Sequence, residues 1–476
     1  MAKAASRVFP KVKFYDQDLV ELYDRTWTWI KKYWRNGTPE NGFASKYFNY
    51  PENDTINQIE SCLSTFFLVY SNRNYPVTPL LDNFYAKAEP SGAIRGIYRE
   101  KDGKPVINRR NPEGVFPPLF SWAEYNIYHK IGLKKRVREI MPTLEAYYNW
   151  IEKNFKKENG LYSVPQEATG MENAPRGEMV YPIDFNAQQA INALYMSALG
   201  DIMNDKEKSY KYKRYYYSLK TRINKYMWNE VDNFYYDLDK KGKQIRNKTI
   251  GTFWTLLAEI PNKEKGERLI EQLQSPEEFG TDNPFPTLSL KNKYFHKMGM
   301  GYRGSVFPHL TYIIIKGLEK YGKFDIAREF AIRHLYMILD GLQPDDGNEG
   351  SIWEAYSPVS SAPAKWPKKI NFPRKLFLPY AALSTISLMI ENIIGFYVSL
   401  PRKTIYWIVP TMEVMGIEDL YLKRNMIKIV SNQSGRGWEI RLESEKLYYF
   451  TINILGIKKK TWPIPSGKCS ILIDRL

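Results

Sequence analysis

Apolar residues recur at three- and four-residue spacing in about twelve stretches before residue 400, and this periodicity constrains the fold more than any other feature of the 476-residue chain. The stretches lie near residues 16–35, 56–72, 77–88, 117–132, 135–155, 184–204, 206–228, 248–260, 264–274, 305–321, 324–341 and 376–396. They come in approximate pairs. Loops rich in Gly, Pro and Asn separate them, for example Asn159-Gly160 and Asn283-Pro284-Phe285-Pro286. Helices in consecutive pairs can close into an inner and an outer ring, and the loops at one end then frame a concave site. The apolar run 376–400 is broken by Pro379, Ser384, Ser387, Glu391 and Asn392, so it reads as a buried core helix rather than a membrane span.

After about residue 403 the pattern changes. Short β-branched and aromatic runs at 404–409, 426–430, 438–442, 447–452 and 469–473 are spaced by turn residues, as in a small sandwich. The expected architecture is mainly α: a helical domain over 1–400 and a β-sandwich-like module over 401–476 packed on it. No short-period repeat is evident, which argues against a solenoid of near-identical units.

Composition narrows the function. Hydrophobic residues make up 43%, enough for a large core. The net charge of +17 invites a nucleic-acid hypothesis, but apart from runs such as Lys458-Lys459-Lys460 the cations are dispersed among Glu and Asp, as on a solvated surface. A basic proteome or a preference for anionic ligands accounts for the charge better than nucleic acid does, and neither nucleic acid nor membrane is an expected partner. Two cysteines, Cys62 and Cys469, cannot build a disulfide framework, and no apolar segment follows the basic N-terminal residues; both fit a cytoplasmic chain. The four histidines form no H-x-x-x-H or H-E-x-x-H pattern, and no phosphate-binding loop or nucleophile elbow is present, so no metal and no cofactor is expected. The run 345–350 lacks the alternating ligand register of a calcium loop and reads as a polar rim.

Two acidic loops carry the chemistry. Residues 170–176 (Gly-Met-Glu-Asn-Ala-Pro-Arg) and 350–358 (Gly-Ser-Ile-Trp-Glu-Ala-Tyr-Ser-Pro) each set one Glu among aromatics, Pro and Gly. Two carboxylates facing one cleft are the minimum equipment for cleaving a glycosidic bond, one as acid and one as base. Glu349 rivals Glu354 in the second loop, and the Trp-Glu-x-Tyr-x-Pro setting favours Glu354.

The order of segments resembles the trehalase-like, mannosylglycerate-hydrolase-like glycosidases related to glycoside hydrolase families 63 and 37. The resemblance rests on Leu81-Asp82-Asn83-Phe84-Tyr85 with Gly92-Ala93-Ile94-Arg95-Gly96, on Pro117-Pro118-Leu119-Phe120-Ser121-Trp122-Ala123-Glu124, on the Glu172 loop with Ile183-Asp184-Phe185-Asn186, on Tyr302-Arg303-Gly304-Ser305-Val306-Phe307-Pro308, on the Glu354 loop, and on Met415-Gly416-Ile417-Glu418-Asp419-Leu420. It implies an (α/α)6 barrel and an inverting mechanism without metal. Glu172, held protonated in a water-poor loop, is then the general acid. Glu354 is the general base, with the carboxyls about 6.5–9.5 Å apart.

The place of Arg303 between Tyr302 and Gly304, just before Phe307-Pro308, suggests a bidentate donor to sugar hydroxyls or to an anionic aglycone, with a surface cation as the competing reading. Glu60, Arg95, Trp122, Glu124, Asn173, Arg176, Trp353 and Tyr356 are expected around the substrate. Core filling for the aromatics, and an ion pair between Glu172 and Arg176, are the competing readings. Asp184 reads as an N-cap before it reads as an acid. Two departures fall at the chemistry, because Glu172 and Glu60 stand where the family has Asp. One extra methylene moves a carboxylate by roughly 1 Å, and misplacement on that scale can cost about a hundredfold in rate. The expectation is thus an inverting hydrolase of an α-glucoside- or α-mannoside-type bond, the alternative a catalytically altered or inactive carbohydrate-binding relative.

Overall fold

The computed structural model describes residues 9–342, 350–409, 412–434 and 437–474. The polar run 345–349, with Glu349, lies outside them. Twelve helices precede residue 395 among the described residues: α1 Gln17–Ile30, α2 Gln58–Leu68, α3 Thr78–Tyr85, α4 Phe120–Ile131, α5 Lys134–Phe155, α6 Ile183–Met203, α7 Lys206–Tyr226, α8 Trp254–Leu257, α9 Lys263–Gln274, α10 Pro308–Lys320, α11 Phe324–Asp340 and α12 Leu378–Ala382. The last continues through Leu383–Ile394 with π-helical winding, all of it buried. No helix among the described residues is long and apolar enough to cross a membrane.

Local chemistry sets the helix ends. Asp16 Oδ1 accepts from the amides of Asp18 and Leu19 to start α1, and Asn57 Oδ1 does the same for Ile59 and Glu60 at α2. Pro308 and Pro379 begin α10 and α12, where the missing amide hydrogen costs nothing. The odd- and even-numbered helices differ in burial. On α7 the buried residues Tyr212, Tyr216, Leu219 and Ile223 form one stripe, whereas α6 is buried from Ile183 through Ala193 on every face. Correspondingly, α2, α4, α6, α8, α10 and α12 touch one another in sequence, and α12 returns to α2. The helix expected over 248–260 shrinks to a 3₁₀ turn, Ile250–Phe253, and the single turn of α8.

Two sheets follow. One orders Lys11–Lys13, Gly416–Leu422, Asn425–Ser434, Gly437–Ser444 and Gly467–Asp474, all antiparallel. The other orders Phe396–Ser399, Thr404–Val409, Tyr448–Ile454 and Lys458–Ile464, with a parallel pair at its centre. Their inner faces meet at Trp407 and Trp438, whose rings are 5.1 Å apart. Strand alternation explains this contact, since Ile405, Trp407 and Val409 are buried and their neighbours are half-exposed. The lysine run 458–460 lies on an edge strand, where charge discourages pairing with another chain.

Candidate active site

The first turns of α2, α10 and α12 deliver Glu60, His309 and Tyr380 to one end of the helical body. Glu60 is buried, and Arg374 Nη2 donates to its Oε1 at 3.1 Å while Asn53 Nδ2 donates to its Oε2 at 3.2 Å. The same guanidinium grips Glu354 with Nε to Oε2 at 3.1 Å and Nη2 to Oε1 at 2.9 Å. The backbone closes this clamp. The Glu354 amide donates to the Arg374 carbonyl, and the Arg374 amide donates to Glu354 Oε2, both at 3.0 Å. Arg374 lies 3.6 Å over the Phe377 ring, which shields it from solvent on that face. Burial pulls the guanidinium down, but Glu60 and Glu354 outweigh it and keep it firmly protonated. Burial pushes the Glu60 carboxyl up, and Arg374 restrains that rise.

The Glu172 loop is tied to the Tyr302 turn through Asn173. Asn173 Nδ2 donates to the Met300 carbonyl at 2.8 Å, its Oδ1 accepts from the Tyr302 amide at 2.8 Å, and Arg303 Nε donates to its carbonyl at 3.2 Å. Gly301, at φ +64°, fits here because a Cβ would lie 2.7 Å from Trp366 and 2.8 Å from Asn173 Oδ1. The Tyr302 turn is in turn bridged to the Glu354 loop by reciprocal 2.9 Å bonds between Val306 and Tyr356. Burial raises the Tyr302 hydroxyl, and the carboxylates of Glu354 and Glu172 raise it further, so this phenol lies within electrostatic reach of both loops.

Beside Tyr302 a cavity of about 40 Å³ is lined by Gly170, Met171, Gln188, Trp254, His309 and Tyr380, among others. Gln188 Oε1 and His309 Nδ1 are buried with no hydrogen-bond partner among the described residues. His309 stacks on Tyr380 at 3.7 Å, and burial, aided by Arg374, pulls its imidazole down to about 3. It is neutral at pH 7. No group of three His, Cys, Asp or Glu residues among those described is arranged to hold a metal ion.

Several sequence expectations land elsewhere. Glu172 is not in a water-poor setting: its side chain is 50% exposed and forms an ion pair with Lys369. It does not pair with Arg176. That guanidinium is fully buried between Asp184 (2.8 Å) and Asp237 (2.7 Å). Asp184 is not the N-cap of α6, a position held by Pro182; it is the second helical residue, accepting from the Phe185 amide. Glu124 is buried against Arg136 and the Tyr85 hydroxyl, and Arg95 is forked onto Glu89 at 2.7 Å. Tyr356 is core, its hydroxyl accepting from the Trp353 amide, and Trp353 is flanked by Lys375. Trp122 packs 4.4 Å from Phe66 in a different cavity. The sequence reading missed Arg374, Lys369, Gln188 and His309. The first two sit in a run rich in Pro, aromatic and basic residues, 366–375, that begins twelve residues beyond Glu354.

Comparison with known proteins gives a consistent picture. A family model described as a mannosylglycerate hydrolase MGH1-like glycoside hydrolase domain matches residues 81–369, and one described as a trehalase C-terminal domain matches residues 395–476. The chain is 50% identical over 473 residues to an uncharacterized protein of Borreliella burgdorferi, covering 99% of each. Over 126 residues it is 32% identical to a cytosolic neutral trehalase of Kluyveromyces lactis, covering 25% of this chain and 16% of that one. A crystal structure of a GH63 mannosylglycerate hydrolase from Thermus thermophilus in complex with glucose superposes with a TM-score of 0.61 at 17% identity, covering 77% of this chain and 99% of the other.

Proposed function

The chain belongs to the mannosylglycerate hydrolase MGH1-like glycoside hydrolase family, and on that premise we propose that it is an inverting α-glycosidase acting on a small α-glucoside- or α-mannoside-type substrate. The cyclic contacts of the even-numbered helices support an (α/α)6 barrel with the site at the end where Glu60, His309 and Tyr380 lie. The catalytic domain then lies within residues 1–400 and the β module over 401–476, with the strands Lys11–Lys13 and Phe396–Ser399 contributed to the sheets of the module. A cytoplasmic location fits the two free cysteines.

One observation carries the reading. Arg374 gathers Glu60 and Glu354 at the end of the body where Tyr302 flanks a cavity holding two unpartnered buried polar atoms, Gln188 Oε1 and His309 Nδ1. Buried polar atoms left unpaired are costly; a sugar hydroxyl can donate to Gln188 Oε1 and, being both donor and acceptor, can bond His309 Nδ1 in either tautomer.

In this mechanism Glu354 takes a proton from a water that attacks the anomeric carbon. The Arg374 fork fixes the carboxylate's orientation. Glu172 gives its proton to the departing glycosidic oxygen from the opposite face, which requires room for the water between the carboxyls. Glu60 and Arg303 bind hydroxyls. In the resting chain Lys369 competes for the Glu172 oxygen, so a bound substrate has to displace that exposed ammonium. The second reading, a relative with altered or lost catalysis, is favoured by the same feature: Glu172 is one methylene longer than the family's Asp and is held by Lys369.

The test is hydrolysis of a panel of α-glucosides, α-mannosides and glycosylglycerates by the wild type, Glu354→Gln and Glu172→Gln. Both variants are expected to lose at least about a hundredfold, within the range of general acid–base catalysis. A Glu172→Gln enzyme with wild-type activity would remove Glu172 from the acid role. An inert wild type would favour the binding reading.

A further inference from the structure

A second cavity, of about 210 Å³, opens toward the C-terminal ends of the even-numbered helices. On α10 its residue Lys316 lies seven positions beyond His309, about 10 Å along the helix, and on the π-helical continuation of α12 Glu391 lies eleven positions beyond Tyr380. It is therefore separate from the proposed catalytic end.

The lining is built rather than incidental. Lys316 donates to Glu391 at 2.7 Å, Glu319 at 2.8 Å and Asn392 at 2.9 Å, which uses all three of its protons. Lys130, 8% exposed, donates to the Tyr70 hydroxyl at 2.6 Å and to Glu391 at 3.3 Å, which leaves one proton over. Burial pushes the Glu391 carboxyl up, but Lys316 and Lys130 outweigh it and hold it at about 2. Lys320 pairs with Glu259 at 3.1 Å.

The lining carries three lysines, Lys130, Lys316 and Lys320, against two carboxylates, Glu319 and Glu391, and Glu259 pairs with Lys320 from outside the lining. His129 also lines the cavity; burial pulls it down to about 4, and Arg402 and Lys130 act in the same direction. It adds no charge of its own at pH 7. Asn126 Nδ2, a donor in the lining, is buried with no partner among the described residues. The walls are aromatic, with Trp122 and Tyr195 6.4 Å apart. Donor capacity left on Asn126 and on the Lys130 ammonium suits an anion, and flat aromatic walls suit the C–H face of a ring.

We propose that this cavity is a second ligand site, which binds a sugar-sized ring bearing a phosphate or carboxylate, with the anionic group at Asn126 and Lys130 and the ring against Trp122. The assignment goes beyond hydrolysis at Glu354 and does not depend on it.

Calorimetric titration of the full chain with glucose 6-phosphate and with glucuronate, against glucose and inorganic phosphate, tests it. At least one of the two anionic sugars is expected to bind, with Kd unchanged in Glu354→Gln and raised at least tenfold in both Asn126→Leu and Asn126→Asp. The near-isosteric Asp keeps the fold and repels the anion. Glucose or phosphate alone is expected to show no Asn126-dependent binding. The proposal is overturned if neither anionic sugar binds at millimolar concentration, if their affinity is indifferent to both Asn126 variants, if Glu354→Gln abolishes binding, or if glucose or phosphate shows the same dependence on Asn126.

Discussion

Replacing Arg374 by Met keeps the unbranched stem as far as Nε and removes the cation shared by Glu60 and Glu354. Arg374 is 25% exposed, Glu60 8% and Glu354 12%, so the carboxylates lose a mostly desolvated partner. Breaking a buried pair from one side costs about 3–5 kcal/mol, and the partial exposure of Arg374 places the expected loss near 3 kcal/mol at neutral pH. The loss is pH-dependent in a defined direction. Burial already raises Glu60, and Arg374 is the main influence lowering it again, so the Met variant carries a Glu60 pKa further above its unfolded value. Between the unfolded and folded values the native state holds a proton that the unfolded chain has released. Stability therefore falls as pH rises through that window, by about 1.4 kcal/mol per unit of added shift.

Urea unfolding of Arg374→Met and wild type at pH 5 and pH 8 reads this directly: the gap between them is expected to be small at pH 5 and near its full value at pH 8. Hydrolysis is expected to fall by roughly 10²–10⁴-fold as the base loses its orientation, and Arg374→Lys, with charge but no planar fork, should lie between. A gap that is equal at both pH values, or a Met variant with wild-type activity, would refute the coupling of Glu60 and Glu354 through Arg374.

Lys369→Met removes the competitor for the Glu172 oxygen. Both partners are about half exposed, so stability should change by less than about 1 kcal/mol, and kcat/KM is expected to rise by up to about fivefold. A tenfold fall would make Lys369 a substrate-binding group instead. Arg176→Met strands Asp184 and Asp237 in the interior and should destabilise by about 3–5 kcal/mol in urea, leaving kcat unchanged below the unfolding transition. A loss under about 1 kcal/mol would show that the two aspartates find other partners.

The helices are legible in the sequence because their apolar faces repeat locally. The run 376–400 reads as buried, and it is. Its end is hidden, because Phe396–Ser399 continues the apolar run without a polar break and is set apart only by Gly395 in a left-handed turn. Residues 415–420 resemble a turn of the family's β module, but Gly416–Leu422 is a strand, whose alternation is broken by a bulge between Ile417 and Leu420 with Asp419 at positive φ. Lys11–Lys13 pairs with a strand about four hundred residues away, and nothing nearby in sequence signals it.

The same distinction governs the site. Glu354 and Glu172 are recognisable from their loops, and Asn173 from its place beside Glu172. Arg374 is not, because its meaning lies in reaching Glu60, 314 positions earlier. Conversely, Arg95, Glu124 and Arg176 look like sugar ligands because a charged side chain satisfied inside the protein is indistinguishable in sequence from one that faces a substrate.

The central claim is an acid–base pair acting from opposite faces of the sugar. Proton NMR during hydrolysis of the best α-linked substrate in the panel, read before mutarotation, measures it: the account predicts that the β-anomer appears first. Initial release of the α-anomer would contradict it, since that outcome requires a covalent intermediate and a closer pair of carboxylates.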